Sequence, residues 1–170
     1  MTEIRHIFFD IGGVLGSNGW DHEQRERVVE RFDLKAEDFE WRHKEVIGEW
    51  DEGRITIARQ LSRQAGYTLM TLNNEAEELN RHRIEKFGIS QIFEAFLSSC
   101  WLGVRKPMRG FYNRGLGIAH AEAATSLFID DRQQNLISAG TLGMNVILFR
   151  SASQLRSDLE RFLHLEIPGA

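Results

Sequence analysis

The sequence has very little cysteine, since Cys100 is the only one among 170 residues. One cysteine cannot form an intramolecular disulfide, which excludes a disulfide-stabilised scaffold and favours a reducing, cytoplasmic setting. No apolar run approaches the roughly 18 residues that span a bilayer, and Glu3 and Arg5 stand where a secretory signal would be apolar. We therefore expect neither membrane insertion nor export.

The sequence also lacks a large excess of one charge sign, with 21 basic and 25 acidic side chains and a net charge of -4. We therefore expect no nucleic-acid partner, because such proteins usually carry a basic surface. On folding, a chain of this length buries about 68–70% of the surface that its unfolded form exposes, so it can form one hydrophobic core without disulfide bonds. The composition does not indicate an oligomeric state.

Short apolar segments that end in polar residues or glycine predict five strands. They lie at residues 4–9, 67–72, 96–99, 126–129 and 145–149. Helical segments alternate with them from residue 67 onward, the first capped by Asn73 or Asn74 and closed by Gly88. This alternation predicts an α/β fold with a parallel sheet covered by helices on both faces.

The segment between the first and second strands shows a different pattern. Val28, Val29 and Phe32 share one helical face, residues 39–50 repeat apolar residues at helical spacing, and residues 55–65 form a third helical piece. We therefore expect a core of residues 1–15 and 66–170 with a helical cap of residues 16–65.

Polar side chains follow the predicted strands at the points where they end. They are Asp10, Thr71, Asn73, Asn74, Ser98, Ser99, Asp130 and Asp131, and Lys106 lies further along the chain after the third strand. The carboxyl ends of parallel strands share one edge of the sheet, where ligands bind. Three neighbouring carboxylates repel one another, so their clustering predicts a bound hard cation such as Mg²⁺ that offsets the repulsion. Lys106 would balance the remaining charge and attract an anionic substrate.

Four short motifs carry these residues in order along the chain. They are FFDIGGVL at 8–15, LMTLNN at 69–74, GVRKP at 103–107, and LFIDDR at 127–132 followed by Asn135. Together they resemble the motifs of the haloacid dehalogenase-like hydrolases, in a phosphatase-type subfamily with a small helical cap after the first motif. The similarity covers about residues 4–15 and 67–150. It implies a Rossmann-like core, a Mg²⁺ requirement and phosphoryl transfer through an aspartyl-phosphate, on a small phosphorylated metabolite.

The resemblance also implies a role for each motif residue. Asp10 would be the nucleophile, which splits one difficult displacement into two easier steps. Mg²⁺ would lie between Asp10, the backbone carbonyl of Gly12, and one or both of Asp130 and Asp131. Lys106 would offset charge on Asp10 and on the transferring group. Thr71 is our choice for binding the phosphoryl oxygens, and Asn73 is the rival under another register of the motif.

Two features depart from the family pattern. Phosphatases of this family usually carry a second Asp two residues after the nucleophile as general acid and base, and Gly12 stands there. Asp21, His22 or Glu23 at the entry to the cap could replace it, and Asp21 is our candidate substrate-binding residue. The second departure is the short cap, which would leave the site more open to water and to larger substrates.

Two alternatives follow from these residues. Gly12 and the short cap are compatible with a weak or inactive family member that keeps the site for binding or regulation. A haloacid dehalogenase would also use an Asp nucleophile but would not need the Asp130–Asp131 metal site. Turnover tests the first alternative, and metal dependence tests the second.

Overall fold

The protein was analysed as a computed structural model that describes residues 3–16, 22–37, 52–64 and 66–167, with only the backbone described at 22–25 and 52–54. Its strands are β1 His6–Phe9, β2 Thr68–Asn73, β3 Ala95–Ser98, β4 Ser126–Asp130 and β5 Asn145–Leu148. They form one parallel sheet in the order β3-β2-β1-β4-β5. The predicted α/β fold with a Rossmann-like parallel sheet is confirmed.

The α-helices of the described residues follow the predicted alternation. They are α1 His22–Arg31, α2 Glu52–Ser62, α3 Glu77–Lys86, α4 Ser99–Leu102, α5 Arg109–Ile118, α6 Gln133–Gly140 and α7 Ala152–Leu163. Short 3₁₀ turns lie at Ile89–Gln91 and Ala123–Thr125. The helix that we predict at residues 39–50 lies outside the described residues.

Each face of the sheet has its own apolar core. Side chains alternate along a strand, so neighbours such as Ile7 and Phe8 point to opposite faces. The first cluster joins Ile7 to Ile57 of α2 and Leu155 of α7, and the second joins Phe8 to Phe111 of α5. Strands that are apolar on both faces must be covered by helices on both faces, as the continuous apolar runs in the sequence predict.

Helix α2 packs into the sheet core although its residues lie in the predicted cap. Ile57, Ala58 and Leu61 are buried in the first cluster. Phe32, which directly follows α1, is 64% exposed. The division into a core and a cap of residues 16–65 stays a prediction. Within the described residues, every helix is too short or too polar to cross a membrane.

The prediction that Asn73 or Asn74 caps α3 is wrong. The helix begins at Glu77, its N-cap is Ala76, and no side chain caps it. Asn73 is instead the last residue of β2, and Asn74 hydrogen-bonds to another loop. The helix begins beyond both asparagines, so neither stands at its N-cap position, and Oδ1 of Asn74 instead accepts the N–H of Lys106. Gly88 does follow α3 with the left-handed backbone expected of a residue that ends a helix.

Candidate active site

Three carboxylates meet beyond the carboxyl ends of the central strands. Phe9 pairs with Ile129 across β1 and β4, so Asp10 and Asp130 leave adjacent strands at the same level. Oxygens of Asp10, Asp130 and Asp131 all lie within 4.8 Å of one another. Parallel register therefore brings together residues that are 120 positions apart in the chain.

One ammonium group lies among these carboxylates. Lys106 is only 2% exposed, and its Nζ is 2.9 Å from Oδ2 of Asp10 and 2.6 Å from Oδ2 of Asp130. Nζ of Lys106 also lies 5.3 Å from the ring centroid of Phe128 on β4, so a cation–π contact with this buried ring stabilises the ammonium group. A buried ammonium is tolerated only when it is paired, and here it serves two carboxylates at once.

The site holds three carboxyl groups and one ammonium group, and in this environment the pKa of Asp10 is raised. Burial raises the pKa of Asp10 from 3.8 to about 7, with Asp130 and Asp131 acting in the same direction and Lys106 opposing them. A carboxyl with a raised pKa beside further carboxylates gains most from an added cation. Carboxylate oxygens are hard ligands that suit Mg²⁺, so the donor set fits the predicted metal.

The loop after β1 folds tightly around Asp10. The N–H of Ile11 donates to Oδ1 of Asp10 at 2.8 Å, and the N–H of Gly16 donates to the carbonyl of Ile11 at 2.9 Å. Gly13 has φ 83°, a left-handed conformation that favours glycine. Gly12 is not among the described glycines with positive φ, so its backbone does not itself require a glycine.

Asp130 is held by a network that reaches into the second core cluster. Asn135 donates its amide to both carboxylate oxygens of Asp130 at 3.0 Å, and the N–H of Arg132 donates to Oδ1 at 2.8 Å. Tyr112 in turn donates its hydroxyl to the carbonyl of Asn135 at 2.9 Å. Burial raises the pKa of Tyr112 above its ordinary value of 10.0, so the phenol stays protonated as a donor.

Sequence reasoning placed Asn135 in a motif but missed Tyr112. Tyr112 lies on α5, outside the motifs, and its ring packs at 5.8 Å from that of Phe128. Nothing in the local sequence distinguishes this tyrosine from an ordinary core residue. Only the packing of α5 against the sheet brings the hydroxyl of Tyr112 within hydrogen-bond distance of Asn135.

The end of β2 carries two polar residues, Thr71 and Asn73, at different positions along the strand. Thr71 is fully buried at the level of Phe9, and its hydroxyl has no hydrogen-bond partner among the residues that the structure describes. Asn73 ends the strand and donates its amide to Oδ1 of Asn80 on α3 at 3.1 Å. Because Asp10 follows Phe9, Asn73 lies closer to the edge where the carboxylates meet than Thr71 does.

Asn74 is the site residue that sequence reasoning placed in the wrong role. Its Oδ1 accepts the N–H of Lys106 at 2.8 Å, and its Nδ2 donates to the carbonyl of Lys106 at 3.0 Å. The only sequence signal for this contact is that both residues belong to motifs that follow strands. Asp21 lies outside the described residues, as do the side chains of His22 and Glu23, so their predicted roles stay predictions.

Known proteins share this sequence pattern and this fold. The sequence profile of the family described as haloacid dehalogenase-like hydrolase matches residues 16–149, a stretch that includes Lys106 and Asp130 and begins after Asp10. The sesquiterpene phosphatase astK of Aspergillus oryzae is 24% identical over 146 residues, which are 79% of this chain and 74% of that protein.

Two solved structures illustrate the likeness in fold. A haloacid dehalogenase family enzyme from Bacteroides thetaiotaomicron, in complex with magnesium and inorganic phosphate, matches with a TM-score of 0.65 and 17% identity over 86% of this chain and 94% of that one. A structure described as a dehalogenase matches with a TM-score of 0.77 and 15% identity over 94% of this chain and 98% of that one. At these identities the likeness establishes a shared fold.

Proposed function

Since the chain belongs to the haloacid dehalogenase-like hydrolases and is therefore a hydrolase, we propose that it is a Mg²⁺-dependent phosphatase of small phosphomonoesters. The observation that carries the proposal is the cluster of three carboxylates around one buried ammonium at the carboxyl edge of the sheet. This cluster can hold a cation and, through it and Lys106, an anionic group next to Asp10.

The metal site in this proposal consists of oxygen ligands alone. Asp10, the backbone carbonyl of Gly12, and one or both of Asp130 and Asp131 would hold Mg²⁺. When bound, the ion would shield the carboxylates from a phosphate and stabilise negative charge on its oxygens. Asn135 would keep the carboxylate of Asp130 aimed at the site, because it bonds both of its oxygens.

The proposed first step is attack by a carboxylate oxygen of Asp10 on phosphorus. A new oxygen–phosphorus bond forms, and the bond to the leaving oxygen breaks with its electron pair on that oxygen, which takes a proton from water and departs as the alcohol; an aspartyl-phosphate results. Each oxygen of Asp10 accepts one hydrogen bond, from Ile11 or from Lys106, and keeps a further lone pair for attack. Lys106 would neutralise charge on Asp10 and on the transferring group. Water then hydrolyses the intermediate and releases phosphate.

We assign the phosphoryl-binding amide to Asn73 rather than Thr71. An amide NH₂ has two donors, and Asn80 uses one of those of Asn73. The second donor remains for a phosphoryl oxygen at the edge of the sheet. Thr71 lies two residues before Asn73 in β2, at the level of Phe9 and further from that edge.

The relatives support a phosphorylated substrate. One relative is a phosphatase by name, and one enzyme of the same fold was solved with magnesium and inorganic phosphate. The three-carboxylate cluster favours this chemistry over dehalogenation, which needs an Asp nucleophile but no metal. A second candidate function, binding or regulation without turnover, is favoured by one observation, the missing acid at Gly12.

The test is hydrolysis of p-nitrophenyl phosphate and a panel of phosphomonoesters, with and without Mg²⁺, by wild type, Asp10→Asn and Glu78→Gln. Glu78 is an exposed carboxylate on α3 and serves as the matched control. We expect Mg²⁺-dependent turnover that Asp10→Asn abolishes and Glu78→Gln preserves. Metal binding without turnover on any ester would favour the binding function, and metal-independent release of halide from 2-haloacids would favour the dehalogenase.

A further inference from the structure

The position of Lys106 decides how charge is shared at the site, because its Nζ contacts one oxygen each of Asp10 and Asp130. We propose that Asn74 is a positioning residue that fixes Lys106 by hydrogen-bonding both polar groups of its backbone. This inference rests on the proposed phosphatase function of the same site. It assigns to Asn74 an action through Lys106 rather than a contact with the reacting atoms.

The contact between the two residues has the form of a closed pair. Oδ1 of Asn74 accepts the backbone N–H of Lys106 at 2.8 Å, and Nδ2 donates to its backbone carbonyl at 3.0 Å. The side-chain amide therefore acts as a neighbouring strand would, across 32 residues of sequence. Two hydrogen bonds to the backbone of one residue fix both the distance of Lys106 from Asn74 and the orientation of its backbone. A single hydrogen bond would leave the orientation free.

The segment that carries Asn74 is itself anchored on both sides. Asn73 donates to Asn80, and Glu75 forms an ion pair with Arg83 at 2.6 Å, in which the two side chains are 9% and 1% exposed. Both partners lie on α3, and both are buried there. The N–H of Glu75 also donates to Oγ of Ser99 at 3.1 Å. Asn74 thus projects from a rigid support.

Asn74 itself is exposed, so packing does not dictate an asparagine at this position. An exposed side chain is usually tolerant of substitution, and the loss of neutral hydrogen bonds lowers the stability of a fold only modestly. We therefore expect the effect of its replacement to appear in the chemistry of the site more than in the stability of the fold.

Positioning and direct substrate contact have different consequences. If Asn74 holds Lys106, its loss lets the ammonium move away from Asp10 and Asp130. These oxygens then lose a competing positive charge, so Mg²⁺ binds more tightly while kcat falls. If Asn74 instead bound the substrate directly, KM would rise and the affinity for Mg²⁺ would not change.

The experiment compares full-length wild type with Asn74→Ala and Asn74→Asp. Asn74→Asp keeps the oxygen that accepts the N–H of Lys106 and loses the donor. The matched control is Asn145→Ala, which removes another backbone-bridging amide, bonded to the carbonyls of Ala124 and Ser126 at the opposite edge of the sheet. The readouts are kcat and KM on p-nitrophenyl phosphate, and the dissociation constant of Mg²⁺ by calorimetry without substrate.

For Asn74→Ala we expect a fall in kcat of about 10- to 100-fold, a smaller change in KM, and a several-fold tighter Mg²⁺ constant. Asn74→Asp should retain more kcat than Asn74→Ala, and Asn145→Ala should leave both the kinetics and the Mg²⁺ constant near those of wild type. Unchanged kcat, or a raised KM with unchanged Mg²⁺ affinity, would overturn the proposal. Because calorimetry needs no turnover, an inactive wild type would count against the phosphatase function while the metal measurement still tests the positioning role.

Discussion

Replacement of Asp10 by Asn should stabilise the metal-free protein, although it removes the proposed nucleophile. Burial raises the pKa of Asp10 to about 7, from an ordinary value of 3.8. At pH values between these two pKa values, Asp10 of the native protein holds a proton that Asp10 of the unfolded chain has released. The free energy of unfolding of wild type therefore falls as the pH rises from about 4 to about 7.

The size of the effect follows from the same two values. One pKa unit corresponds to about 1.4 kcal/mol, so ionised Asp10 costs the metal-free fold at most about 4 kcal/mol above pH 7. Asn has nearly the same shape and no charge, so it avoids this cost. For a chain of this length the difference corresponds to a rise in Tm of at most roughly 8–16 °C.

The assay is thermal unfolding in EDTA at pH 4 and pH 8 for wild type, Asp10→Asn and Glu78→Gln. We expect Asp10→Asn to melt above wild type at pH 8 and close to it at pH 4, where Asp10 is largely protonated in the native state. Glu78→Gln should follow wild type at both pH values. Saturating Mg²⁺ should reduce or reverse the gap, because ligand binding stabilises the native state and Asn is the weaker ligand.

This reasoning fails if Asp10→Asn is no more stable than wild type at pH 8 in EDTA. It also fails if the gap persists unchanged at pH 4. The first result would mean that Lys106 compensates the charge of Asp10 fully in the native protein, and the second that the added stability does not come from the charge of Asp10.

Two further predictions concern the missing acid and the support of the site. Gly12→Asp should raise the turnover of alkyl phosphates by up to about 10²–10⁴-fold, because a general acid helps poor leaving groups most. The turnover of p-nitrophenyl phosphate, which has a good leaving group, should rise much less. An equal effect on both substrates would indicate that the acid lies elsewhere. Arg83→Met should lower the free energy of unfolding by up to roughly 3–5 kcal/mol in urea titrations, because it removes the guanidinium that forms an ion pair with the largely buried carboxylate of Glu75. The double variant Arg83→Met with Glu75→Gln should recover part of that loss, and a double variant as unstable as the single one would contradict this account.

The sequence by itself determined the sheet and the chemical character of its edge. Continuous apolar runs such as Ile7 to Phe9 specify buried parallel strands, and their alternation with helical segments specifies the α/β class. The polar residues that end those runs must then lie at one edge, so Asp10 and Asp130 were predictable as neighbours, whereas Lys106 was placed with them by its position in the series of motifs. These features depend on local periodicity and on the direction of parallel strands, both of which can be read along the chain.

Only the tertiary structure decided which side chains hold the site in place. Asn74 was predicted to cap a helix and instead bonds the backbone of Lys106, and Tyr112 supports Asn135 from a helix outside the motifs. Local sequence cannot distinguish these roles, because an amide or a phenol bonds whichever backbone group the packing brings within about 3 Å. That distance is set by how the loops and helices pack on the sheet, over separations of tens of residues.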